Sequence, residues 1–164
     1  MAQMDNTGLY QKFGVEQTVT QAGGEYRNNS KEREIEILIN LATLTETESV
    51  VTGADNIFFP AGVKITEIEI LVETAAATGV AIDLGFVRTD RTTEIDYDGL
   101  LAAFVTATMT VGNKVVLRKG GTQAGAMVGS GVATTNVGHI TCSRTTATAF
   151  TAGVIKVTIR YERP

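Results

Sequence analysis

The chain has 164 residues, 43% hydrophobic and 20% charged, with a formal net charge of −4. That composition suits one globular domain able to bury about two thirds of its unfolded surface, and it excludes global disorder. The acidic balance argues against nucleic acid as a partner, since phosphate binding needs a surplus of Lys and Arg, and the single Cys142 excludes an internal disulfide framework or a multi-cysteine zinc site while fitting assembly in a reducing compartment.

Residues 1–32 read as an extended N-terminal arm ahead of a β-domain over 33–164. The opening residues 1–14 show no basic segment followed by an apolar run, and no run approaches the ~20 residues of a membrane span, so neither a cleaved signal nor membrane insertion is expected. The arm is polar and lacks either structural period, with Gly23 and Gly24 at its middle. Leu9, Tyr10, Phe13, Val15, Val19 and Tyr26 are nevertheless spaced through it, more apolar anchors than a linker keeps. A segment that orders on docking loses ~1 to 2 kcal/mol of backbone entropy per residue, and large rings offset that with few rotors. Tyr10, Phe13 and Tyr26 are therefore the candidate contact residues, with docking onto another chain and packing on the arm's own domain both open.

From Arg33 the period becomes two. Ile35, Ile37, Ile39 and Leu41 share one face and Glu34, Glu36, Leu38 and Asn40 the other, which predicts a half-buried strand. Residues 43–51 continue in β-favouring types toward a turn at Gly53, Ala54, Asp55 and Asn56. Pro60, Ala61 and Gly62 predict a second turn, Pro fixing φ and Gly tolerating the positive φ of a type II turn. Two strands follow. Ile68, Ile70 and Val72 oppose Glu67, Glu69 and Glu73, and then Val80, Ile82, Leu84 and Phe86 oppose Ala81, Asp83 and Gly85.

Between Asp90 and Thr110 the spacing of Tyr97, Leu100, Leu101, Phe104 and Val105 predicts one short helix, capped by Asp96 or Asp98, acting as a plug over a sheet core. Residues 115–117 predict a strand, and Gly120 with Gly121 a turn. Gln123–Thr135 has no strong period. His139–Ser143 alternates weakly. Ile155, Val157, Ile159 and Tyr161 then alternate well with Lys156, Thr158, Arg160 and Glu162, predicting a closing strand. The sum is an all-β fold, an antiparallel β-sandwich that is jelly-roll-like, with one short helix; periodicity alone leaves an immunoglobulin-like wiring open.

The residues offer little catalytic chemistry. A Ser/His/Asp site would have to use His139, the one histidine, and no spacing supports it. Asp90, Asp96 and Asp98 supply oxygen ligands but lack the Gly and terminal Glu of an EF-hand loop, so they read as turn formers and caps. Glu67 and Glu69 read as a solvated strand face and Cys142 as a small buried hydrophobe. No catalytic residue, cofactor or metal is expected.

The stretches FFPAGVKITEIEILVE (58–73), GVAIDLGFVRTDRTTEI (79–95) and FTAGVIKVTIRYE (150–162), with GLYQKFGVE (8–16) and GHITC (138–142), resemble the capsid decoration, or cement, proteins of tailed bacteriophages, particularly short-tailed phages of marine and freshwater bacteria. The resemblance implies a non-enzymatic, structural virion protein on the outer surface of the capsid, assembled in the host cytoplasm. It implies a homo-oligomer, trimer or dimer, whose partner is the major capsid protein, with no nucleic acid and no membrane. A head-fibre or lectin-like module binding glycans or the host surface is the alternative. Aromatic residues at 6% with no Trp weigh against it, since sugar platforms stack on such rings.

Overall fold

Glu32–Asn40 forms the first strand, β1, in the computed structural model, which describes residues 32–47, 49–50, 58–78, 81–106, 110–130 and 134–163. Its predicted alternation is realised, with Ile37 and Ile39 buried and Leu38 exposed. Asn40 then breaks the strand: its Oδ1 accepts from the Ala42 amide at 3.1 Å and the Leu44 amide closes on the Leu41 carbonyl, giving a 3-10 turn over Leu41–Thr43 where the β pattern had been expected to run on. Strand β2 is short, Ser49–Val50. The expected turn at residues 53–56 and Val80 lie outside the described residues.

The turn at Pro60–Gly62 forms as predicted, with Gly62 at φ 76°. It launches β3, Lys64–Thr78, followed by β4 (Ala81–Arg88), β5 (Glu94–Val105), β6 (Lys114–Leu117), β7 (Gly138–Arg144) and β8 (Phe150–Glu162). Among the described residues these strands form two four-stranded sheets, ordered β1-β8-β3-β6 and β2-β7-β4-β5. Strands 1 and 8, 2 and 7, 3 and 6, and 4 and 5 are neighbours, as when one long hairpin is wrapped around a barrel axis. The wiring is thus a jelly roll rather than an immunoglobulin sandwich. The core lies between the sheets. Ile37, Ile39, Ile68, Ile70, Ile155, Val157 and Ile159 enter from one side and Ile82, Leu84, Phe86, Leu101, Phe104 and Ile140 from the other, with the Phe59 ring 4.6 Å from Phe86 and 5.0 Å from Tyr161. This core belongs to the compact unit Glu34–Pro164; a second unit, Met1–Arg33, supplies only Glu32 and Arg33 to the described residues.

The helix expected between Asp96 and Val105 is corrected: those residues are strand β5, paired with β4 throughout. The cause is bulging. From Ile82–Phe104 to Leu84–Leu101 the register spends two residues on β4 against three on β5, and from there to Phe86–Asp96 two against five. Extra residues turn a period of two into spacings of three and one, and Leu100 and Leu101 are consecutive yet both fully buried. Ala103 holds a positive φ of 49° within the bulged strand, its amide donating to Asp83 Oδ1 at 2.7 Å. Among the described residues the short helix of this fold is the 3-10 turn.

Gly85 makes room for the bulge. A Cβ there would stand 2.0 Å from the Asp96 carbonyl oxygen and 2.4 Å from the Tyr97 carbonyl carbon, so β5 crosses β4 where the side chain is missing. The aperiodic segment that follows β6 also finds its reason here. The Gly125 and Met127 amides donate to the Leu100 and Gly99 carbonyls, each at 2.9 Å, and the Ala102 amide donates to the Gln123 carbonyl, so this loop covers the outer edge of β5.

Candidate interaction surface

The outer face of the β1-β8-β3-β6 sheet carries charges sorted by strand. Residues alternate across a strand, so the partners of the buried isoleucines project outward: Glu34 and Glu36 from β1, Lys156 and Arg160 from β8, Glu67 and Glu69 from β3, and Lys114 from β6 with Arg118 just beyond it. Adjacent columns thereby alternate acidic, basic, acidic, basic.

The pairs form. Lys156 reaches Glu36 at 3.0 Å and Arg160 Nε reaches Glu34 at 3.3 Å. Arg160 also donates through a second nitrogen to Glu67, which accepts from Arg118 Nε at 2.6 Å, while Lys114 meets Glu69 at 2.9 Å. The Arg118 hydrogen bond, with Arg160, holds the Glu67 carboxyl below the usual carboxylate range, and Glu67 in turn raises Arg160. Glu67 and Glu69 do lie on the outer face as predicted. They sit on an inner strand between two cationic columns, however, and are shielded rather than freely solvated. Sequence reading missed the cations because their pairing spans 45 to 93 positions, which no local pattern exposes.

Elsewhere the charged groups do local work. Asp90 accepts from the Thr92 and Thr93 amides at 2.9 and 2.8 Å and from the Thr93 hydroxyl at 2.6 Å, which lowers its pKa and confirms its reading as a turn former. Asp96 lies beside Asp98 at the β5 bulge, where burial and then the hydrogen bond with Asp98 push its carboxyl up to about 6. Among the described residues no three of His, Cys, Asp and Glu gather as metal ligands would. Cys142 is buried in the core as predicted, and desolvation drives its thiol well above the ordinary range. His139 is buried, its Nδ1 has no hydrogen-bond partner, and its ring lies 4.8 Å from that of the exposed Phe58. Tyr10, Phe13 and Tyr26 lie outside the described residues.

What this surface offers is therefore paired charge and a few exposed apolar groups on a rigid double sheet. No family model matches the sequence, and no curated protein matches it either. Among solved structures the fold is similar to a chain from the capsid of Ralstonia phage GP4, with a TM-score of 0.50 and 12% identity over 81% of this chain and 83% of that one. A chain from the cyanophage Pam1 capsid asymmetric unit aligns with a TM-score of 0.46 and 12% identity, over 83% of this chain and 86% of that one. At such identities the likeness to the Ralstonia phage chain is one of fold, spanning most of both molecules.

Proposed function

We propose that this chain is a structural virion protein, a capsid decoration or cement protein that binds the outside of a phage head where major capsid subunits meet and stabilises the shell. The observation that carries the reading is the jelly roll it shares, over most of both chains, with a chain of a phage capsid. The resemblance of the 58–73, 79–95 and 150–162 stretches to decoration proteins narrows it from capsid component to cement. The mechanism is mass action without catalysis: a protein that binds the assembled shell and not its dissociated subunits favours assembly, and repetition over the lattice adds avidity. The double sheet supplies a rigid body, and the arm over 1–32 supplies the shell contact through Tyr10, Phe13 and Tyr26.

The test is co-sedimentation with expanded shells of the cognate phage. The full chain is expected to pellet with shells, and the triple variant Tyr10→Ala, Phe13→Ala, Tyr26→Ala to bind at least tenfold more weakly while melting at the same temperature. A variant that binds like the parent removes the arm from the account; a parent that never pellets removes the cement role. The glycan-binding alternative draws on one observation, the exposed ring of Phe58. Strong glycan-array binding without shell binding would favour it.

A further inference from the structure

The ladder of charge on the β1-β8-β3-β6 sheet is satisfied in its middle and open at both ends. Side chains of the inner columns, Glu67, Glu69, Lys156 and Arg160, are 13 to 31% exposed, whereas Glu34, Glu36, Lys114 and Arg118 on the outer columns are 55 to 74% exposed. Each outer charge has a partner on one side and water on the other. The two ends also differ in sign, acidic at β1 and basic at β6. Among the described residues neither β1 nor β6 has a further strand beside it. Exposed apolar side chains mark the same places: Leu38 on β1, Val116 on β6 and Val111 just before it.

We infer that this sheet continues between copies of the chain, with β6 of one copy pairing with β1 of the next in a head-to-tail joint. Strand direction permits it. Glu34 meets Arg160 and Glu36 meets Lys156, so residue numbers run oppositely on β1 and β8; β8 is antiparallel to β3 and β3 to β6. β6 and β1 therefore run oppositely, and a neighbour related by simple continuation presents its β1 antiparallel to β6. Charge selects this joint over the two-fold ones. Pairing β1 with its own copy sets glutamates against glutamates, and pairing β6 with its own copy sets Lys114 and Arg118 against themselves, each costing free energy where like charges face across strands. The head-to-tail joint instead places the Glu34 and Glu36 column beside Lys114 and Arg118 and encloses Leu38 and Val116. Joints of this kind are heterologous, so they close into a ring if the rotation allows and otherwise extend. With only four residues in β6 each joint is weak, so association depends on concentration and declines with salt. This inference does not rest on shell binding; a chain that ignored shells could still join this way.

The test uses two full-length variants at exposed positions, Leu38→Lys on the β1 edge and Val116→Glu on the β6 edge, each placing a charge that repels the opposing edge. Each must first melt within a few degrees of the parent; should either not, Glu34→Gln with Glu36→Gln, or Lys114→Gln with Arg118→Gln, blocks the same edge. By analytical ultracentrifugation the parent is expected to form species of three or more copies that shrink in 0.5 M NaCl. Either variant alone is expected to be monomeric, and a 1:1 mixture to yield a species of two copies, because one intact joint survives between them. A parent that stays monomeric, variants that assemble like the parent, one variant alone failing, or a mixture that stays monomeric would each overturn the inference.

Discussion

Arg118 Nε donates to Glu67 at 2.6 Å across the β3–β6 pair, from an arginine that is three-quarters exposed to a glutamate that is nearly enclosed. The two ends of this bond have different energetics. Arg160 approaches the same carboxylate from β8 and reaches Glu34 and Glu69 as well, so it links three acidic groups on two strands. The ladder should therefore be strong where it is shielded and weak at its margin. Arg160→Met is expected to cost about 2 kcal/mol, between the ranges for exposed and buried pairs, because it strips a cation from a carboxylate that remains sheltered. Lys114→Met, at an exposed pair, should cost no more than about 0.5 kcal/mol. Urea denaturation curves for both variants check this, and equal costs would mean that the ladder has no shielded centre.

The crossing of β5 over Gly85 predicts a sharp steric limit. Gly85→Ala would set a methyl group 2.0 to 2.5 Å from the backbone of Asp96 and Tyr97, neither of which is a flexible side-chain tip that could step aside. Strands 4 and 5 would have to separate or lose their register, and the expected loss is about 3 kcal/mol, at the upper end for overpacking. Gly62→Ala is a useful contrast, since a Cβ there meets no atom within 4 Å and the strain comes from its positive φ alone. Its expected cost is about 1 kcal/mol. Thermal melts of the two variants read the difference.

Asp96, half-buried beside Asp98, makes stability depend on pH. Burial raises the folded pKa of Asp96 to about 6 from an ordinary 3.8, so its contribution is fully present below pH 3.8 and is lost as pH rises through 6. Glu67 runs the other way: its pKa is lowered from 4.5, so its contribution is present above pH 4.5 and is lost as pH falls through the folded value. The two trends oppose each other, Glu67 favouring the fold at higher pH and Asp96 at lower. Asp96→Asn removes the desolvated charge and should stabilise the chain at pH 7.5 by about 1 kcal/mol, discounted because the group remains partly wet, with no gain at pH 4. Melting temperatures of parent and variant at the two pH values test this, and a gain of equal size at both would assign the effect to packing instead of ionisation.

The readable parts of the sequence were those where one face of a strand meets the core without interruption. Val157 and Ile159 on β8 and Ile68 and Ile70 on β3 are all completely buried as their alternation predicts, although Thr158, expected on the outer side, is buried as well. Reading failed where register slips. The bulges of β5 gave Leu100, Leu101 and Phe104 a helix-like spacing, and the strand is specified instead by its partner β4 and by the missing side chain of Gly85, both distant in sequence. The loop before β7 looked shapeless because its order comes from main-chain bonds to the edge of β5, which do not depend on side-chain pattern. The charged surface was half legible. The glutamates of β1 and β3 announce an outer face by alternation, but which cations answer them follows from strand order, and a jelly roll places strands 1 and 8 side by side from opposite ends of the domain.

The central claim, that the chain is a cement protein on the outside of a phage head, is tested most directly by a density map of virions that carry it. The account predicts eight-stranded jelly-roll density outside the shell at junctions between major capsid subunits, with connected density running from β1 into the shell and bulky side chains at Tyr10, Phe13 and Tyr26 buried there. Density for this chain inside the shell, in the tail or only at the tip of a fibre, or virions whose shells resist heat equally well without it, would contradict the account.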